Sequence, residues 1–273
     1  MHIIRFWAIF ALTSLGIVLS GCEVPDTQQL PERTWSLVWE DEFEGNAGES
    51  PDPANWTYDI GRGDNGWGNE ELQYYTDRPE NVSLDGEGNL VITAIRETFG
   101  GAAFSSARIK TKGLFSQAYG RFEARLKTPY GPGLWPAFWM LGDNIDEVSW
   151  PQCGEIDIME LRGQQPNIAL GSLHGPGYSA GNAISGSYAL TNGRFDTEYH
   201  LYAVEWFEDR IDFFVDDFLY QRITREDVPG EWVYNQPFFM ILNVAVGGTF
   251  VGFPTNQTPF PQTMVVDYVK VYE

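Results

Sequence analysis

Three carboxylates stand close together in Trp150-Pro151-Gln152-Cys153-Gly154-Glu155-Ile156-Asp157-Ile158-Met159-Glu160-Leu161, among large apolar residues. An apolar strand carries acids at a cost, because a charge removed from water must be paired or neutralised. Their spacing narrows the use. Side chains alternate along an extended strand, so Glu155 and Asp157 share one face while Ile156 and Ile158 take the other. Glu160 lies five residues beyond Glu155 and falls on the apolar face unless one extra residue is inserted. A β-bulge inserts one, and bulges concentrate beside active sites. The spacing therefore predicts a bulge at Ile158-Met159 and three acids on one face, with the two glutamate carboxyls about 5 to 6 Å apart. At that separation one carboxylate attacks an anomeric carbon while the other carboxyl protonates the leaving oxygen, the retaining route of glycoside cleavage. Glu155 is expected as nucleophile, Glu160 as acid/base, and Asp157 as the group that holds the nucleophile. Crowded negative charge is expected to raise the acid/base carboxyl. The competing readings are a solvated acidic strand and a cation site.

The elements that must position these acids are strands. From Arg33 onward the apolar runs are short, aromatic or β-branched, and broken by Gly, Pro, Asn and Asp clusters. In GRFEARLKT, from residue 120, Phe122, Ala124 and Leu126 alternate with Arg121, Glu123, Arg125 and Lys127, the pattern of a half-buried strand. HLYAVEWF and RIDFFVDD, joined through Glu208 and Asp209, read as a tight hairpin. Helical periodicity is nearly absent, so the fold class is all-β, a sandwich or jelly roll of antiparallel sheets. A length of 273 residues suits one such domain rather than two.

On these residues the chain resembles glycoside hydrolase family 16, in its laminarinase (endo-β-1,3-glucanase) type. The family's bulged signature Glu-x-Asp-x-x-Glu is matched by Glu155, Asp157 and Glu160. Similar segments extend from WEDEF at 39 through GWGNEELQYYT at 66, SARIKTKG at 106, GRFEARLKTPYGPGLWPAFWML at 120 and NVAVGG at 243 to VDYVKVYE at 266. The resemblance implies a jelly-roll β-sandwich of two antiparallel sheets with an open concave cleft, and retaining chemistry without a metal in catalysis. It also implies a structural calcium, held by backbone oxygen near Glu42, by Gly88 and by Asp267. The implied substrate is β-1,3-glucan. Mixed-linkage β-1,3-1,4-glucanase, another family 16 polysaccharide hydrolase and a non-catalytic β-glucan-binding protein are the alternatives.

Trp135 and Trp139, four apart, face one side of a strand, and the resemblance places them in the cleft; core packing is the competing use. Asn69 and Glu70 lie in a loop similar to the laminarinase GWGNNEL loop, from which Glu70 departs, and are expected to bond sugar hydroxyls. Arg108 is expected either on hydroxyls or in an ion pair, and Asn243 likewise near substrate. His174, expected on the strand next to the acids, is assigned the support of Glu160.

Seventeen basic against 38 acidic residues give a net charge of −21, which repels phosphate backbones and excludes nucleic acid as a partner. Residues 1–21, with Arg5 ahead of an apolar stretch too short for a safe membrane span, read as a signal peptide. It ends in Leu19-Ser20-Gly21-Cys22, which resembles a bacterial lipobox with Cys22 lipidated. The expectation is an exported lipoprotein, anchored to the outer membrane or cell surface, with residues 22–32 as a flexible tether and 33–273 as one monomeric catalytic domain. With Cys22 lipidated, Cys153 has no disulfide partner and is expected to pack as a small hydrophobe rather than to react.

Overall fold

The computed structural model describes residues 33–273 together with Leu30. The signal-peptide, lipidation and tether assignments at 1–21, Cys22 and 22–32 fall outside the described residues, Leu30 apart. Residues Arg33–Glu273 form one compact unit.

The strands follow in chain order. The first six are β1 (Leu37–Asp41), β2 (Thr57–Tyr58), β3 (Gln73–Tyr75), β4 (Val82–Leu84), β5 (Leu90–Ala94) and β6 (Phe104–Ser106). Next come β7 (Arg108–Lys110), β8 (Gly120–Lys127), β9 (Leu134–Gly142), β10 (Glu155–Leu161), β11 (Ile168–His174) and β12 (Ile184–Ala189). The last five are β13 (His200–Trp206), β14 (Arg210–Val215), β15 (Phe218–Thr224), β16 (Phe238–Val246) and β17 (Gln262–Tyr272).

Fifteen of them build two antiparallel sheets, and β3 and β6 pair with each other as a short parallel ladder. One runs β15-β14-β13-β8-β17-β5-β4, with β1 also on β17; the other runs β12-β11-β10-β9-β16-β7-β2. Sequence neighbours are often not sheet neighbours, as β8 lying between β13 and β17 shows, and this crossing of the chain between two layers is jelly-roll architecture. The predicted hairpin is β13–β14, closed by Phe207 N–H donating to the Arg210 carbonyl at 2.8 Å.

The core lies between the sheets. Phe122, Ala124 and Leu126 of β8 point into it, as do Phe138 and Met140 of β9 and Ile156 of β10. Burying a side chain of this size stabilises by roughly 1.5–3 kcal/mol, and one contiguous cluster of such residues runs the length of the domain. Glu123, expected on the open face of β8, is buried because Arg121 and Tyr272 bond its carboxylate. Cys153 is buried with Leu141, Phe239 and Ile241, and burial pushes its thiol up to about 11, so it packs rather than reacts.

Candidate active site

The predicted bulge is present in β10. Against β9 the pairing runs Ile156 with Met140, Asp157 with Trp139, then Met159 with Phe138 and Glu160 with Ala137, so Ile158 is the extra residue. Ile158 and Met159 both enter the core cluster, and Glu160 rejoins the face of Glu155 and Asp157. That face is turned away from the sheet interface, yet Asp157 is 2% and Glu160 8% exposed. Outward-facing residues are buried only where loops and large side chains wall them in, so the face is a cleft.

Each glutamate takes an indole N–H. Trp135 Nε1 donates to Glu160 Oε1 at 2.8 Å, and Trp150 Nε1 donates to Glu155 Oε2 at 2.8 Å. Trp135 comes from β9 and rests on Phe250, ring centroids 4.9 Å apart. Trp150 follows the short helix Ile145–Val148 and Ser149, whose left-handed φ of 61° turns the chain back over β10.

Burial, then neighbouring negative charge, raises all three acids. Glu160 is pushed up to about 7, chiefly by burial and then by the charge of Glu155. Glu155 is pushed up to about 8, by burial and then by Asp157. Asp157 is held well above the usual carboxylate range by burial and the charge of Glu160. The trio therefore shares protons at neutral pH as one interacting group.

The remaining assigned residues divide. His174 is on β11, opposite Glu155, as expected. Its Nε2 lies 3.0 Å from Asp157 Oδ2 and 3.8 Å from Glu155 Oε1, so it serves the Glu155 end of the trio rather than Glu160. Trp139 donates to Asn243 Oδ1 at 2.7 Å, and Asn243 Nδ2 donates to Tyr75 Oη at 3.2 Å. Arg108 takes the ion pair: Nε lies 2.9 Å from Asp59 Oδ2, and the guanidinium also lies over the rings of Trp67 and Trp139, 4.9 and 4.7 Å from their centroids. One face of Trp139 is thus covered by Arg108.

Glu70 differs from expectation. It is exposed, with φ at 60°, whereas its neighbour Glu71 is 5% exposed at the centre of a polar cluster. Asn69 Nδ2, Gln73 Nε2 and Tyr75 Oη all donate to the Glu71 carboxylate, at 3.2, 2.6 and 3.2 Å. The loop is tight: a Cβ on Gly66, itself at φ 60°, would sit 2.5 Å from the Glu71 backbone nitrogen, so the chain folds back and presents Glu71 instead. Burial raises the Glu71 carboxyl. The signal was present in the sequence, since Glu71, Gln73 and Tyr75 alternate on one strand face. Trp150, five residues before Glu155, carried no such pattern.

For the calcium ligands the registers bring the three positions together. Val266 pairs with Leu90, two residues beyond Gly88, and Val269 pairs with Asp41, next to Glu42. Asp267 lies between them, at a bulge in β17. A Cβ on Gly88 would lie 3.8 Å from the Glu42 carbonyl oxygen. Backbone and carboxylate oxygens suit a hard cation, so these residues fit calcium. The Asp267 carboxylate also pairs with Arg125.

A jelly-roll sandwich whose bulged acid strand faces a walled cleft defines a glycoside hydrolase of the paired-carboxylate kind. The sequence model of Glycosyl hydrolases family 16 matches residues 66–270. The chain is 42% identical over 268 residues to a β-glucanase of Rhodothermus marinus, spanning 93% of this chain and 91% of that protein. It is 37% identical to glucan endo-1,3-β-glucosidase A1 of Niallia circulans, over 87% of this chain and 38% of that one. The laminarinase catalytic domain of Thermotoga maritima has a similar structure, with a TM-score of 0.83 at 44% identity, covering 88% of this chain and 99% of the other. The chain belongs to glycosyl hydrolases family 16.

Proposed function

We propose that this protein hydrolyses β-1,3-glucan within its chains, with retention of anomeric configuration. The observation that carries this reading is the bulge in β10, which gathers Glu155, Asp157 and Glu160 on one buried face with different donors on each glutamate. In the form of the trio in which Glu155 has given up its proton and Glu160 keeps one, Glu155, with the Trp150 indole donating to it, attacks the anomeric carbon. The glycosidic C–O bond breaks as Glu160 gives its proton to the leaving oxygen. Glu160, now a carboxylate, takes a proton from water, whose oxygen displaces Glu155 from the covalent sugar and leaves a hemiacetal of the original configuration. Burial, which raises Glu160 to about 7, keeps it protonated for the first step near neutral pH.

The choice of β-1,3-glucan rests on the laminarinase and endo-1,3-β-glucosidase relatives and on a cleft lined by indoles. A sulfated galactan calls for unpaired cations, whereas the cleft's Arg108 is held by Asp59. All three acids are present, which argues against a protein that only binds. The site is complete within one chain, in keeping with a monomer.

Around this activity we assign calcium to the Glu42, Gly88 and Asp267 oxygens, where it would tie β1 and the start of β5 to β17 and supply stability rather than chemistry. We assign a lipid on Cys22 and an outer-membrane or cell-surface location, on the strength of Leu19-Ser20-Gly21-Cys22 behind an apolar leader.

The test is incubation of the protein, and of Glu155→Gln, with laminarin, mixed-linkage glucan, agarose and carrageenan, following reducing ends and product lengths. Laminarin is expected to give mixed short oligosaccharides whose first-formed anomer matches the substrate, and the variant none. Laminarin bound but uncut overturns the reading in favour of a binding protein. Faster cutting of mixed-linkage glucan moves the substrate assignment to that polymer.

A further inference from the structure

His174 is fixed at three points. Its carbonyl accepts a hydrogen bond from Tyr234 Oη at 2.9 Å. Its Nδ1 accepts the backbone N–H of Ala180 at 3.1 Å. Its Nε2 faces Asp157 and Glu155 at the distances given above, and the Trp150 ring lies beside the imidazole, centroids 6.1 Å apart. A ring nitrogen that accepts a hydrogen bond carries no proton, so in a neutral imidazole the proton is on the other nitrogen. Ala180 adopts a left-handed φ of 50°, a conformation a non-glycine residue holds only where its surroundings impose it. That conformation turns its N–H inward to the ring.

Asp157 supplies the second, independent observation. Its Oδ2 is buried and has no hydrogen-bond partner among the described residues, and His174 Nε2, 3.0 Å away, is the nitrogen placed to supply one.

We infer that the loop from Gly175 to Ala183 is a tautomer clamp: the Ala180 amide holds His174 with its proton on Nε2, making it a fixed donor toward Asp157 and Glu155. His174 is then a positioning residue for the nucleophile, a role that rests on the assignment of Glu155 above. The clamp also bears on metals. Ligand atoms of Glu155, Asp157 and His174 lie within 4.8 Å of one another, close enough to hold a divalent cation. A cation on Nε2 would need that nitrogen's lone pair and would push the proton onto Nδ1, against the Ala180 N–H. The clamped tautomer thus turns an N–H rather than a lone pair toward the two acids.

The full chain contains three histidines, His2, His174 and His200, so its imidazole nitrogens can be resolved by NMR of protein labelled with nitrogen-15 histidine. The His174 signals are those lost in His174→Gln. At neutral pH, Nδ1 is expected at the unprotonated position and Nε2 at the protonated one. The reverse pattern, or two protonated nitrogens, overturns the clamp. In kinetics, His174→Ala is expected to lower kcat by about 10- to 100-fold with KM little changed. His174→Gln, whose amide nitrogen can replace the Nε2 donor, is expected to recover most of that loss. Equal losses in two folded variants overturn the donor role. The spectrum does not depend on which polymer is cut, so its failure is separable from failure of the glucanase reading.

Discussion

Two strands of this molecule carry a bulge beside an acid, and they use it differently. In β10 the bulge brings Glu160 onto the face of Glu155 and Asp157, where indoles and loops enclose the trio. In β17 the bulge between Val266 and Tyr268 exposes Asp267, whose side chain stays 33% exposed and pairs with Arg125. The backbone device is the same. The difference lies in what surrounds the carboxylate: in β10, burial and like charge hold protons on the acids, whereas in β17 a guanidinium and solvent balance the charge. A bulge aims a side chain, and the environment assigns its chemistry.

The comparison breaks first at Glu155. Glu155→Gln is expected to lower kcat at least about 10⁴-fold, because it removes the carboxylate assigned to the attack; Asp267→Asn, at the other bulge, should leave kcat intact. A weaker test of geometry is deletion of Ile158, which removes the extra residue and returns Glu160 to the core side of β10. Activity should vanish, whereas Met159→Ala keeps the bulge and retains activity while losing about 2–5 kcal/mol of stability in a denaturant titration.

The pH dependence sharpens the contrast. Glu160 must be protonated to act as the acid, so kcat/KM is expected to fall as pH rises through about 7. The Trp135 hydrogen bond favours the ionised carboxylate, so Trp135→Phe should move that falling limb to higher pH. Stability has a definite sign as well. Glu160 and Glu155 in the folded protein lie above the ordinary carboxyl value of 4.5, so the folded protein binds more protons than the unfolded chain between about 4.5 and 8. Stability from these groups is complete below that window and declines by a few kcal/mol across it. Glu160→Gln should flatten the decline, as thermal unfolding at pH 5 and pH 8 would show.

The smallest effect belongs to β17. Chelation of calcium is expected to lower Tm by about 5 °C in the parent protein and by less in Asp267→Ala, with kcat unchanged in both.

Much of this was legible from the residues. Alternation in GRFEARLKT gave β8 its core face, and the parity failure at Glu160 demanded the bulge, because a period of two allows no other repair. The residues that complete the site were less visible. Glu71 replaced Glu70 because a loop turned on Gly66 decided which side chain faced inward, and His174 met Asp157 rather than Glu160 because strand register placed it opposite Glu155.

The sequence by itself determined the strands, the bulge and the identity of the three acids, since these follow from local periodicity and side-chain chemistry. Only the tertiary structure decided which donor reaches each carboxylate, that Trp150 covers Glu155, and that Ala180 turns its amide to His174. Those contacts join residues from different strands and loops, and the charge each acid carries depends on how completely such neighbours exclude water.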